Sequence, residues 1–333
     1  MVTLKEVAEA AGVSPATASR ILNQDTTLSV QPSTRKKVLE TAKKMQYNKL
    51  PKNPVEIGQT LGLLQWFSTM QEMEDTYYLS IRQGIEGYCQ EQRIPLIRTF
   101  KQDLNYVEVL KQADTILCIG KFSGQEVEAL CSLTRRILFL DMPTSQAACV
   151  TLDFKQAVTD ALEYLVQLGH RSIGFLGGIE YLDEKEQEQF PDQRKDTFIR
   201  YCKEHDICYE TYMYEGRFSV ESGYQMMRIL LEKETRPTAV FAASDPIAIG
   251  ALRAMQDQGL RVPEDMSILG FNDINLSAFT TPPLTTVHAP SCEMGQYGAA
   301  LVRMLSDLEA SVPMRIQLPC RLVIRESCGK PRE

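Results

Sequence analysis

Residues 3–23 read TLKEVAEAAGVSPATASRILN, which spells two short helices joined by a glycine turn. Leu4, Val7, Ala8 and Ala11 recur at helical spacing, so one face of the first helix is apolar and the other carries Lys5, Glu6 and Glu9. Gly12 suits the left-handed conformation that ends a helix, and Ser14 followed by Pro15 supplies an N-cap and a first-turn proline for the next. In the second helix Val13, Ala18, Ile21 and Leu22 form an inner stripe. Pro15, Ala16, Thr17 and Arg20 then face outward, at the end of a recognition helix that meets base edges in a helix-turn-helix. Helix pairs with a glycine turn also occur in ordinary helical domains, and the pair alone does not separate the two readings.

The next segment separates them. PSTRKKVLETAKKMQY, residues 32–47, predicts a third helix with Val38, Leu39, Ala42 and Met45 inward and Arg35, Lys36, Lys37, Lys43 and Lys44 outward. Over residues 1–52 nine Lys and Arg oppose four acids, a balance of +5; the whole chain is −7, so the remainder carries −12. A basic head on an acidic body separates a phosphate-seeking module from a body that DNA would repel.

The head resembles the headpiece of the lactose-repressor/galactose-repressor (LacI/GalR) family. The likeness is carried by Thr3-Leu4-Lys5-Glu6-Val7-Ala8, Ala11-Gly12-Val13-Ser14 and Thr17-Ala18-Ser19-Arg20-Ile21-Leu22-Asn23. It implies operator DNA contacts from Thr3, Ser14, Pro15, Ala16, Thr17, Arg20, Asn23 and Arg35, with operator choice at residues 15, 16 and 20. Pro15 is an unusual occupant of its position. Relatives follow the head with a hinge helix that inserts a leucine into the minor groove. Here residues 48–60, NKLPKNPVEIGQT, read as a linker: Pro51 breaks such a helix, the A-x-x-L pattern is absent, and Val55 or Ile57 are left as candidate wedges.

From Leu61 onward apolar runs of strand length alternate with helix-period stretches: LGLLQW, a helix over 77–91, PLIR, TILCIG, a helix near Gln125, RILFLD, CVTL, a helix over 155–168 and IGFLGG. The pattern continues with helices at 194–203, 220–231, 246–258 and 293–308 between TYMYEG, TAVFAAS, SILGF, TTVHA and RLVIR. Such alternation predicts an α/β body of doubly wound parallel sheets. With 333 residues, 44% of them hydrophobic, the chain can hold more than one domain. The stretches LFLD (138–141), LGHRSIGFLGG (168–178), AASDPIAIGAL (242–252), VPEDMSILGFND (262–273) and TPPLTTVHAP (281–290) are similar to signatures of the same family. Its bodies resemble type I periplasmic sugar-binding proteins, two lobes with a cleft between them. The expected organisation is a helix-turn-helix head at 1–47, a linker at 48–60 and a ligand-binding, dimerising body at 61–333. One lobe takes about 61–152 plus 291–318, the other about 153–290 plus 319–333.

A sugar is held by an aromatic face and by charged or amide groups that bond paired hydroxyls, and parallel sheets place such groups beyond the carboxyl ends of strands. Six residues stand at such places: Asp141, Arg194, Phe218, Ser244, Asp245 and Asn272. Each also has a structural reading, as a turn, a cap or core. The family resemblance implies that Arg194 is a sugar-binding fork, Phe218 a stacking aromatic and Asp245 part of the motif before a helix, while Asn272 stands where many relatives have aspartate. Asp273 reads as structural. DTYYLSIRQGIEGYC (75–89) and ILCIGK (116–121) resemble most a family repressor of a β-galactosidase operon, which implies a galactose-containing ligand and places Tyr77 and Tyr78 at the cleft or the dimer surface.

No basic region followed by an apolar run opens the chain, and no stretch approaches the roughly 20 apolar residues of a membrane span, so a cytoplasmic protein is expected. The nine scattered cysteines read as reduced thiols; His170, His205 and His288 lack ligand spacing, and neither metal nor cofactor is expected. The reading is a homodimeric transcriptional repressor of a sugar (galactose or β-galactoside) operon, released when the sugar binds. Alternatives are a corepressor-dependent regulator of the same family, a sugar-transport protein, which would need an export signal and no basic head, and an α/β enzyme, for which no G-x-S-x-G elbow or metal spacing is present.

Overall fold

The computed structural model describes residues 2–22, 28, 30–45, 47, 60–183, 188–306 and 312–332. The chain divides into two compact units, Met1–Gly58 and Gln59–Glu333. Asn23 and residues 48–59, with Pro51, Val55 and Ile57, lie outside the described residues.

The head consists of α1 (Leu4–Ala11), α2 (Pro15–Leu22) and α3 (Pro32–Lys44). Thr3 opens α1 with a capping box: its hydroxyl accepts from the Glu6 N–H, and the Glu6 carboxylate accepts the Thr3 N–H at 2.7 Å. Gly12 ends α1 at φ 72°, which a Cβ would strain. Val7, Ala8, Ala11, Ala18, Ile21, Leu22, Val38 and Ala42 close the core of this unit, joined by Tyr47. One expectation fails. Leu39 is 38% exposed. It neighbours the buried Val38 in sequence, and successive helix positions face about 100° apart, so only one of the two fits the interface.

The body contains β1 (Leu61–Gln65), α4 (Thr69–Glu74), α5 (Thr76–Gln92), β2 (Leu96–Phe100), α6 (Tyr106–Leu110), β3 (Thr115–Ile119), α7 (Gly124–Leu133), β4 (Ile137–Leu140) and β5 (Ala148–Leu152). Next come α8 (Phe154–Leu168), β6 (Ile173–Gly178), β7 (Glu180–Asp183), β8 (Glu188–Phe190), α9 (Gln193–Glu204), β9 (Met213–Gly216), α10 (Val220–Leu231), β10 (Ala239–Ala242) and α11 (Asp245–Asp257). The chain closes with β11 (Ser267–Asn272), β12 (Thr285–His288), α12 (Ser291–Ser306), β13 (Arg315–Leu318) and β14 (Arg321–Val323). The first sheet has the order β13-β5-β4-β3-β1-β2, the second β14-β12-β11-β10-β6-β9. Both repeat one winding, in which the first strand lies between the second and the third, and every pairing is parallel except β12 with β14.

The chain passes between the sheets between β5 and α8, between β12 and α12, and between β13 and β14. Each sheet carries one helix pair in backbone contact, α5 with α12 and α10 with α11. A methyl at Gly84 would strike the Cys292 carbonyl and one at Gly295 that of Ile81; methyls at Gly223 and Gly250 would strike the carbonyls of Ile247 and Val220. Four features were not expected from periodicity: α4, α6, the antiparallel β7–β8 hairpin and the edge strand β13. They are short or border-placed, where too few residues repeat to set a period. Among the described residues no helix is long and apolar enough to cross a membrane.

Candidate functional site

In the head, α2 carries the outward set. Ser14 caps it, accepting the Thr17 N–H at 3.0 Å, and its hydroxyl lies 2.8 Å from that of Thr17. Pro15, Ala16 and Arg20 are exposed, while Thr17 is half-buried. The Arg35 guanidinium is half-buried on α3 and donates to the Leu28 carbonyl at 3.4 Å. Thr3 and Ser14 serve as helix caps and remain exposed, beside the exposed Pro15, Ala16 and Arg20. The placement of Asn23 lies outside the described residues.

In the body, an open space of about 580 Å³ lies between the two sheets' carboxyl ends. One wall comes from the first lobe. Strands β3 and β4 run side by side, so Lys121 and Asp141, just past their ends, meet: Lys121 Nζ donates to Asp141 Oδ2 at 2.6 Å and also to the Asp141 carbonyl. The Tyr78 hydroxyl, on α5, has one hydrogen for two carboxylates, Asp141 Oδ2 at 2.9 Å and Glu180 Oε1 at 3.1 Å. Burial would lower the Lys121 ammonium, but Asp141 and Glu180 more than offset it and hold it above the usual lysine range. Asp75 caps α5 by accepting the Tyr77 N–H at 3.0 Å, and burial pushes its carboxyl up to about 6.

The second lobe supplies the facing wall. Asp192 caps α9 through the Arg194 N–H and then binds the Arg194 Nε at 2.9 and 3.1 Å, while Arg194 Nη1 donates to the Ala243 carbonyl at 3.0 Å. Aromatic rings surround the guanidinium, Phe218 at 4.7 Å, Phe154 at 5.3 Å and Phe271 at 5.8 Å from its carbon to their centroids. Burial opposes its charge, yet Asp192 and Glu180 hold it above the ordinary arginine range. Phe218 rests against Gly178, where a Cβ would collide with the ring. Asn272 ends β11 at φ 108°, and Asp141 stands at φ 60°; both are polar residues that tolerate such backbone. Glu180, which burial pushes up, and Lys101, which donates to the Leu182 carbonyl at 2.9 Å, tie the β7–β8 hairpin to the first lobe.

Of the six residues singled out in the sequence, the structure brings Asp141, Arg194, Phe218 and Asn272 to this cleft. Ser244 and Asp245 do not line it. Ser244 is wholly buried as the N-cap of α11, accepting the Ile247 N–H at 3.4 Å. Asp245 is also wholly buried, and donors inside the lobe take both of its oxygens: Thr286 on Oδ1, Ile274 N–H at 2.8 Å and Ser277 Oγ at 2.7 Å on Oδ2. Asp273 is bound by Arg325 at 2.6 Å and lies 3.0 Å from His288 Nδ1, a structural place. Sequence reasoning missed Asp75, Lys121, Glu180 and Asp192. Lys121 and Glu180 each stand two residues past a strand of the sheets, so the strand-end rule applied to every strand would have named both.

Comparison with known proteins returns two families. The one described as bacterial regulatory proteins, lacI family, matches residues 3–49, and the periplasmic binding protein-like domain matches residues 162–328. The chain is 34% identical to the HTH-type transcriptional regulator GalR of Lacticaseibacillus casei, over 98% of this chain and 99% of that one. Among solved structures, the transcriptional regulator CelR–cellobiose complex is 26% identical with a TM-score of 0.70, covering 98% of this chain and all of the other. The lac repressor dimer bound to operator and the anti-inducer ONPF is also 26% identical with a TM-score of 0.70, covering 98% of each chain.

Proposed function

The chain belongs to the LacI family of bacterial regulatory proteins, and from that membership we propose that it is a homodimeric repressor of a galactose or β-galactoside operon, released when the sugar enters the interlobe cleft. It acts in the cytoplasm, where its operator DNA is, as a regulator and not as an enzyme. The observation that carries the ligand half is Arg194. The residue is only 8% exposed, and its guanidinium is oriented by Asp192 and the Ala243 carbonyl in a cleft lined by aromatic rings and carboxylates. A fork held in that way offers fixed hydrogen bonds to neighbouring hydroxyls, and the rings offer the apolar face a pyranose needs. Asn272 in place of a carboxylate suits neutral hydroxyls. The galactoside assignment is supported by the resemblance of residues 75–89 and 116–121 and by the name of the GalR relative.

Release is a population shift between lobe arrangements. A coupling of roughly 1–3 kcal/mol would lower operator affinity about 5- to 150-fold, and operator DNA would weaken sugar binding by the same factor. The test is a gel shift on the DNA upstream of its own operon with and without saturating galactose or methyl β-galactoside. Weakened binding with sugar supports the proposal. Operator affinity that is unchanged removes the switch, and affinity that rises makes the sugar a corepressor.

A further inference from the structure

Among the described residues three buried side-chain polar atoms have no hydrogen-bond partner: Gln65 Oε1, Tyr77 Oη and Asp141 Oδ1. The last two belong to residues that line the same cleft, and they are opposite in kind. Tyr77 is a phenol that can donate; Asp141 is an ion-paired carboxylate that can only accept. We infer that Tyr77 and Asp141 together read a single hydroxyl group of the bound sugar, the phenol donating to its oxygen and the carboxylate accepting its hydrogen. The inference rests on the sugar-binding reading of the cleft and specifies what that cleft selects.

Of the wholly buried side-chain polar atoms on residues lining the cleft, these two are the ones without a partner among the described residues. Asp141 Oδ2 is already taken by Lys121 at 2.6 Å and by Tyr78 at 2.9 Å, so Oδ1 alone remains. Tyr78 is held between Asp141 and Glu180, and its ring lies 5.1 Å from that of Tyr77. Arg194 is engaged by Asp192 through Nε and by the Ala243 carbonyl through Nη1, which leaves its Nη2 donors for other hydroxyls of the sugar. Tyr77 is 7% exposed and Asp141 3%. Burial first, and Asp141 second, push the Tyr77 phenol well above its ordinary range, so it stays a donor at any physiological pH.

A hydroxyl is both acceptor and donor and satisfies the two atoms at once. An ether, a halogen or a phosphate ester at that position lacks the hydrogen that Asp141 needs. A phosphate also brings negative charge beside Asp75, Asp141 and Glu180, while both nearby cations are already paired. The cleft therefore selects an uncharged sugar with a free hydroxyl at this depth, and a site built to bond a hydroxyl rejects analogues without it more strongly than an apolar pocket does.

The test is calorimetry with methyl β-galactoside and its 2-, 3-, 4- and 6-deoxy analogues on the full chain and on Tyr77→Phe, which keeps the ring and removes only the hydroxyl. Tyr77→Phe is expected to bind the parent about 10- to 100-fold more weakly. One deoxy analogue should lose at least that factor on the wild type and clearly less on the variant, where only the Asp141 hydrogen bond is left to lose. Asp141→Asn should single out the same position. If the variant binds all five compounds as the wild type does, or if the two losses multiply for every analogue, the pair does not read one hydroxyl and the inference falls while sugar binding stands. Failure of the parent galactoside to bind the wild type overturns the galactoside reading and the inference with it.

Discussion

Asp141 and Asp245 stand at comparable places, each at the carboxyl end of a parallel strand, one in each lobe, and each is almost wholly buried. Their surroundings differ. Donors inside the second lobe saturate Asp245, from the Thr286 and Ser277 hydroxyls and the Ile274 backbone. Asp141 keeps one oxygen without a partner at the edge of the cleft. What separates a keystone from a ligand group is thus not the strand end but whether the local loop has hydroxyls to spare. The segment 274–286 carries them, and the segment after β4, MPTSQAA, turns none toward Asp141.

The contrast can be broken by substitution. The largest effect is expected from Asp245→Ala, which orphans two buried hydroxyls and a half-buried N–H: a loss of about 3–5 kcal/mol in urea unfolding. A loss under about 1 kcal/mol would mean that the loop repacks and that Asp245 is no keystone. Asp141→Asn should do the reverse. Asn tolerates the left-handed backbone found there, and Lys121 keeps Glu180 as a partner at 3.9 Å, so the stability cost should be the smaller of the two. Affinity for galactoside should nevertheless fall about 100-fold, some 2.7 kcal/mol, by calorimetry. Equal losses of stability in the two variants would erase the distinction.

A third carboxylate sharpens it. Asp75 caps α5, as Asp245 anchors its loop, but it also lines the cleft, and burial raises it from 3.8 to about 6. A raised carboxyl means that the native protein binds more protons than the unfolded chain between those values. Its contribution to stability is therefore fully present below about pH 4 and is lost as pH rises through about 6. Asp75→Asn keeps a capping oxygen and abolishes the titration. Relative to the wild type the variant should be unchanged below pH 4 and more stable, by about 3 kcal/mol, at pH 7–8. Parallel stability curves across pH 4–8 would show that Asp75 titrates normally.

Much of this was legible in the chain itself. The head's three helices follow from spacing and caps, because each local signal agrees with the packing: Thr3, Gly12 and Ser14 all do what their chemistry suggests. The sheets follow from runs such as ILFL and AVFA, buried at every position, as strands covered on both faces must be. The cleft was half legible. Arg194 and Asn272 stand at the strand and helix ends that parallel sheets turn toward ligands. Ser244 and Asp245 share that address, and only the hydroxyls of Ser277 and Thr286, far along the chain, decide against them. Glu180 was open to the same rule, two residues past β6, but the hairpin it opens, which carries it to the first lobe, has strands too short for alternation to register.

The two glycine-pinned helix pairs differ in how far apart in the chain their members are made. Gly223 and Gly250 sit in α10 and α11, with a single strand between them. Gly84 and Gly295 sit in α5 and α12, and the whole second lobe's sheet except its last edge strand is synthesised in between. A nascent chain can dock α11 on α10 as soon as both leave the ribosome, whereas α5 must wait with its glycine face uncovered until α12 emerges; closing so long a loop is also the slower step. The helix pair made second can therefore close first, even though the edge strand β14 joins its sheet only after α12 and β13 are made, and chains ending near residue 290 should protect α10 and α11 from protease while α5 is still cut.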